Sequence, residues 1–381
     1  MSGDHPSAVV VGAGVFGAAI ADALAGREWD VTLVEQVAPA QARGASGDVS
    51  RILRCAHGDD FDDAWLTRSA RTARAGWRAL EDETGRRLLV PSGVAWFDAG
   101  GDAWLARAEQ FLHLEGILSE RLAPAAAADL FPSLSTDGLH SVLYEPEAGT
   151  LLAREAVRAL AERAQRRGAR LVVDRAVPEA GKARLSDGVV AGADWTVWAC
   201  GPWLGALFGA AAPVQPTAQD LFWWGAPPGW EADAVPAWVD MASRAYGMGD
   251  VDGTGLKAVV ESVGTPLEPE AGERISSPET EAHTRRLIGQ RFPALASAPV
   301  VARRVMPYES TPDERFLLGP HPEHPDVWLA GGGSGQGFKH GPEIGAYVAD
   351  RLDGRAAPEA RFAAGPRAAA PSGGAFGLPP R

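Results

Sequence analysis

The spacing of apolar and polar positions divides the chain into short buried runs and longer amphipathic ones. Ala8-Val9-Val10-Val11 predicts a buried parallel strand, because an apolar β-branched run has no solvent-facing side. Small residues at 18–24 predict a helix, and Asp30-Val31-Thr32-Leu33-Val34-Glu35 predicts a second strand. Helical periodicity returns at 64–84, 103–114, 124–130, 151–167 and 280–292, the last with Arg285, Arg286 and Arg291 expected in solvent. Strand-like runs fall at 88–90, 93–97, 141–144, 170–173, 195–199, 221–224, 237–239, 256–260 and 327–330. No run has the apolar length of a membrane span.

Between the first strand and the first helix lies Gly12-Ala13-Gly14-Val15-Phe16-Gly17, and the second strand ends in Glu35 about 20 residues on. Gly12 suits a tight turn, Gly14 lets amides approach a pyrophosphate, and Gly17 lets helix and strand pack closely. Glu35 suits a ribose diol. Glycine alone makes a weak signal, but strand, helix, strand and terminal acid together predict a dinucleotide site, without separating FAD from NAD. A second strand–glycine loop–helix unit occupies 327–348, with Gly331-Gly332-Gly333-Ser334-Gly335-Gln336-Gly337 ahead of Phe338-Lys339-His340. Two such loops at opposite ends of the chain suit a cofactor threaded through the protein. The stretch 43–50 is rich in Gly and Ser and suits close approach to a ligand. Arg51 and Arg54 beyond it could share a helical face or flank a loop, or form a solvated basic patch balanced by Asp59, Asp60, Asp62 and Asp63.

The chain has 381 residues, 46% of them hydrophobic, which allows two domains with a large core. The pattern predicts an α/β fold: a Rossmann-like nucleotide domain (1–85, 141–212 and 308–354) interleaved with an antiparallel-sheet domain (86–140 and 213–307). Residues 355–381, rich in Ala, Pro and Gly, read as a disordered tail. A net charge of −13 argues against nucleic acid or an anionic membrane as partner. Cys55 and Cys200, with no CxxC and no His/Cys cluster, argue against disulfides or a metal site. The lack of a signal pattern makes the cytoplasm the default location.

Four segments carry a family resemblance: GAGVFG…VTLVEQ at 12–36, GDVSRILRCAHG at 47–58, GTGLK at 253–257, and DERFLLGPHPEH…GGGSGQGFKHGP at 313–342. They resemble the FAD-dependent amine oxidases typified by the monomeric sarcosine oxidases, with the glycine and D-amino acid oxidases more distant. The resemblance implies FAD as cofactor, a small amine or amino acid substrate, molecular oxygen as acceptor, and an imine and hydrogen peroxide as products. It implies cofactor contacts from Gly12, Gly14, Val15, Phe16, Gly17, Glu35 and Gln36, then from Ser46, Ser50 and Arg51. Val177, Gly201 and Trp203 would follow, with Gly333, Gly335, Gln336, Gly337, Phe338 and Lys339 closing the site. Arg54 and Lys339 would clamp a substrate carboxylate, since two cations suit a carboxylate in a partly buried pocket. Arg51 would lie close to the flavin ring, Tyr246 and Tyr308 would line the pocket, and Lys257 would promote reaction with oxygen.

Two positions depart from the family pattern. Met306 stands where the sarcosine enzymes carry the cysteine that bonds to the flavin, and a thioether side chain cannot form that link. Non-covalent FAD is therefore expected, with His57 as the alternative attachment point. Glu261 stands in place of a pocket histidine, where an acid could pair with a substrate ammonium, with Lys257, or with solvent alone. A flavin dehydrogenase with another electron acceptor, a nicotinamide-dependent reductase and a non-catalytic flavoprotein subunit are the competing readings.

Overall fold

The computed structural model describes residues 5–58, 64–261, 264–270 and 272–369, so Asp59, Asp60, Asp62 and Asp63 lie outside the described residues. Among the described residues no helix is long and apolar enough to cross a membrane.

A six-stranded sheet carries the first half of the site. Its order is Leu317–Pro320, Val327–Gly331, Trp195–Trp198, Ser7–Val11, Asp30–Glu35 and Arg170–Val173. All neighbours are parallel except the edge strand Leu317–Pro320. The helices Val15–Ala25, Ala153–Arg166 and Gly341–Leu352 pack together on one face of this sheet. Small residues on Val15–Ala25, among them Ala18, Ala19 and Ala21, keep that packing close. The glycine loops at both ends of the chain therefore open at the carboxyl edge of adjacent or near-adjacent strands, where doubly wound sheets bind nucleotides.

A nine-stranded, mainly antiparallel sheet lies beside it, built around the long strands Gln215–Trp224 and Val300–Ser310. In Leu256–Val260, alternation sends Leu256 and Ala258 into a core with Phe222 and Trp224. Val259 points the other way, into a cluster with Leu221, Trp223 and Met306, and Lys257 lies over the Trp223 ring at 5.7 Å. A third, small sheet pairs Ser50–Leu53 and Leu89–Val90 with Gly149–Leu152.

Several expectations change in the folded chain. Leu151 and Leu152 belong to the strand Gly149–Leu152 rather than to the helix, which starts at Ala153, because the strand's pairing captures them first. Ser141–Glu145 pairs in the nine-stranded sheet, so the nucleotide part does not resume at 141, and Val300–Ser310 runs across the expected boundary at 308. Leu89–Val90, expected in the antiparallel domain, pairs instead in the small sheet. The tail is ordered as far as it is described: Phe362 is buried among Trp65, Phe316 and Tyr347, and Arg367 donates to Asp313 at 2.9 Å. Arg291 is not in solvent but bonds Asp240 at 3.0 Å, and Arg285 stacks over Trp224 at 4.6 Å; Arg286 is exposed as expected.

Candidate active site

Backbone geometry sets one side of the cleft. Gly12 adopts φ +99°, and a Cβ there would meet the Ala199 carbonyl oxygen at 2.5 Å. A Cβ on Gly17 would meet the Gly12 carbonyl oxygen at 1.8 Å, so a methyl there would force helix and turn apart. Without either methyl, Val15–Ala25 begins directly over the end of the first strand with its positive pole at the cleft. Ser46 Oγ accepts the Val15 N–H at 3.0 Å, closing the 43–50 loop onto that helix end. The Glu35 carboxylate accepts Ala13 N–H at 2.8 Å and Val37 N–H at 3.2 Å, and burial raises its pKa against the pull of those amides. Glu35 thus shapes the glycine turn as well as facing the cleft.

The cleft encloses about 1220 Å³ of space continuous with solvent. Gly12, Gly14, Val15, Phe16, Glu35, Gln36 and Ser46 line one side, Gly333, Gly335, Gly337 and Phe338 the other, with Gly201 and Trp203 also in the lining. Gly337 packs so tightly that a Cβ would lie 2.9 Å from Phe16 Cζ, which ties the second loop to the first helix. These residues fit FAD: a glycine cradle and helix pole for the pyrophosphate, an acid for the ribose, and a second loop for the far end.

Some expected contacts lie off the lining. Gly17 packs behind the turn. Val177 lies in the hairpin of Val177–Glu179 and Lys182–Arg184, and the cleft is lined by Asp174, Arg175 and Ala176, because the chain crosses the opening before the hairpin begins. Ser50 contributes its carbonyl oxygen, which accepts from Arg51 at 2.9 Å and from Lys257 Nζ at 3.1 Å. Gln336 borders a smaller recess beside Trp65 and Phe362, and its carbonyl oxygen accepts from Lys339 Nζ at 2.8 Å.

Arg51, Tyr308 and Phe338 line the inner end of the cleft, and charge collects around them. Arg51 sits on the strand Ser50–Leu53, neither a helical face nor a loop, with its guanidinium 5.8 Å from the Phe338 ring centroid. It donates to Ala45 O at 2.7 Å and pairs with Asp48. Lys257, 2% exposed, pairs with the same Asp48 carboxylate. Burial would raise the Asp48 carboxyl, yet Lys257 and Arg51 beside it hold it down at about 2. Burial pulls the Lys257 ammonium down to about 8, with Asp48 opposing and Arg51 assisting. Asp48 was visible in the sequence only as one acid in a polar loop; nothing local signals that it meets a lysine 209 positions away.

The Tyr246 and Tyr308 hydroxyls bond each other at 2.8 Å. Burial pushes the Tyr308 phenol up to about 12 and Tyr246 well above its ordinary value, with Glu261 adding to both. Glu261 is 8% exposed, so the solvated alternative for this acid is set aside: it lies within electrostatic reach of both tyrosines.

Arg54 follows the same strand and is buried between Trp96 and Trp104, 5.1 and 5.6 Å from their ring centroids. It pairs with Ala56 O and lies 3.2 Å from His57 Nδ1. Burial and the charges of Arg54 and Lys339 keep His57 well below its ordinary pKa, and the same causes keep His340 neutral. Arg54 and Lys339 therefore bear on the same two imidazoles. Glu145, missed in the sequence because its partners are so distant, accepts Cys55 N–H at 2.8 Å, Ala56 N–H at 3.1 Å and Trp96 Nε1–H at 2.9 Å. That carboxylate fixes the turn from which Arg54 projects.

Met306 is fully buried beside Trp223 and Val259. Burial raises the Cys55 thiol to about 12 and holds Cys200 above its ordinary value, while Cys200 Sγ donates to Val11 O at 3.4 Å.

Comparison with known proteins follows this geometry. Residues 7–351 match the family model described as FAD dependent oxidoreductase. A monomeric sarcosine oxidase of Streptomyces avermitilis is 30% identical over 90% of this chain and 92% of its own length. One from a Bacillus species is 26% identical over 90% and 91%. Among solved structures, an L-proline dehydrogenase from P. horikoshii superposes with a TM-score of 0.81 at 20% identity, covering 92% of this chain and 94% of that one.

Proposed function

We propose, from the premise that this chain belongs to the FAD-dependent oxidoreductase family and acts with FAD on C–N bonds, that its substrate is an amino acid or secondary amine bearing a carboxylate and that its products are an imine and hydrogen peroxide. The observation that carries this reading is a group of cations that starts at Arg51 in the cleft lining and continues into the buried interior: Arg51 and Lys257 around Asp48, with Arg54 and Lys339 around the neutral pair His57 and His340.

Bound FAD supplies the capacity to take two electrons from a C–N bond. The chain's own residues do the rest. Arg54 and Lys339 hold the substrate carboxylate, and the Trp96 and Trp104 rings exclude water from the guanidinium, which strengthens that attraction. Tyr246 and Tyr308, kept protonated by burial, offer hydroxyls to the pocket without adding charge. The electrostatic reach of Glu261 to these hydroxyls suits an amine that brings a further hydrogen-bond donor. Lys257, charged below about pH 8 and held in place by Asp48, stabilises negative charge that develops as oxygen accepts electrons. FAD is held without a covalent bond, in keeping with Met306 at the attachment position.

Two measurements test this. Acid precipitation of the purified yellow protein is expected to leave the flavin in the supernatant; flavin in the pellet would refute non-covalent attachment. A panel of N-methyl and free amino acids, followed by peroxide release, is expected to give turnover that disappears when the carboxylate is replaced by an amide. Turnover with an artificial acceptor but none with oxygen would favour the dehydrogenase reading.

A further inference from the structure

Glu309 has no part in the roles above. It lies near the end of Val300–Ser310, is 9% exposed, and lines the cleft between the turn at Gly201 and the loop at Gly333. Its Oε1 accepts the Gly333 N–H at 3.2 Å. Its Oε2 has no hydrogen-bond partner among the described residues and stands 2.5 Å from where a Cβ on Gly201 would be. A buried carboxyl oxygen left without a partner is strongly disfavoured, so its position in a ligand cleft points to a ligand group.

The sheet order says which group. Glu35 ends the strand on one side of Ser7–Val11; Gly201 and Gly333 follow the strands on the other side, and the Gly12 turn lies between. With the adenosine ribose at Glu35 and the pyrophosphate over the Gly12 turn, the next part of FAD along the strand ends is the polyol chain that leads to the flavin ring. Building on the assignment of FAD to this cleft, we propose that Glu309 is a cofactor-binding residue whose Oε2 holds a hydroxyl of that polyol chain. Burial raises the Glu309 carboxyl to about 7, opposed only by the Gly333 amide. Above about pH 7, where the test is run, the ionised carboxyl accepts from a hydroxyl in a charge-assisted bond that a neutral amide does not match, whereas a pyrophosphate would be repelled by it.

The test uses apoprotein titrated with FAD and with ADP, which carries the adenosine and pyrophosphate but no polyol chain. Glu309→Gln keeps an oxygen for the Gly333 N–H and removes the charge-capable Oε2. It is expected to bind FAD about five- to tenfold more weakly and ADP as the unaltered chain does. Glu309→Ala is expected to lose more FAD affinity, again with ADP unchanged. Unweakened FAD binding in Glu309→Gln would overturn the proposal, whatever Glu309→Ala does, because the Gly333 contact alone would then explain any loss. Equal losses for FAD and ADP would overturn it too, since the carboxyl would be supporting the whole cleft. Should Glu309→Ala fail to fold, Glu309→Gln decides. Because binding is read directly, failure here leaves the oxidase reading standing, and absence of FAD binding by the unaltered chain would refute both.

Discussion

At the Gly12–Gly17 side the cleft is made mainly of main chain, absent methyl groups and a helix pole, with the Glu35 carboxylate turned toward it. At the inner end it is made of side chains, with Arg51, Lys257 and Asp48 locked together beside the hydrogen-bonded tyrosines. The first side binds by shape and partial charge, and a single added carbon should ruin it while a lost full charge should matter less. The second works by full charges in a water-poor setting, where removing one charge leaves its partner stranded. The substitutions that break each side should therefore be of opposite kinds.

The largest effect is expected from Gly17→Ala. Its methyl would sit 1.8 Å from the Gly12 oxygen, so the turn must open, costing about 3 kcal/mol of stability and abolishing FAD binding; thermal unfolding and flavin content check this. Lys257→Met, nearly isosteric, should slow reoxidation of the reduced enzyme by oxygen roughly 100- to 1000-fold while leaving anaerobic reduction by substrate within a few-fold, as read by stopped-flow absorbance. In the unaltered enzyme the same step should slow as pH rises through about 8, because Lys257 loses its proton there, and Lys257→Met should lack that limb. Arg54→Gln should lower kcat/KM for carboxylate-bearing amines about 100-fold and spare amines without a carboxylate.

Asp48 gives a smaller and oppositely signed pH effect. Its folded pKa of about 2 lies below the ordinary carboxyl value, so its stabilisation is present above about pH 4 and is lost as pH falls toward 2. About 2 kcal/mol should disappear over that window in denaturant titrations, and Asp48→Asn should flatten the profile. The smallest effect belongs to Glu35→Gln, which keeps an acceptor for the Ala13 N–H and should weaken FAD binding by about 1 kcal/mol. A loss there as large as that of Gly17→Ala would collapse the contrast between the two sides.

Gly12, Gly14, Gly17 and Glu35 could be found in the sequence because a strand–turn–helix–strand unit is local: the spacing of its glycines is set by the turn itself. The second loop at Gly333 was found for the same reason. Asp48 and Glu145 were not, because each acts on residues far along the chain, Lys257 in one case and the Cys55–Ala56 amides in the other. Val177 was misplaced by the geometry of a crossing loop, which no periodicity encodes. Residues 355–369 read as tail because Ala, Pro and Gly carry no period, yet Phe362 finds a buried site formed by Trp65, Phe316 and Tyr347.

Sequence alone determined the cofactor cradle, the α/β class and the cation inventory, since hydrophobic period and glycine spacing act over a few residues and need no distant partner. Tertiary structure decided which carboxylate meets which cation, which hydroxyls face each other, and how far each group is dried. Those are effects of distance and burial, and both are fixed only when Leu256–Val260, Val300–Ser310 and the 43–58 segment come together over the carboxyl edge of the parallel sheet.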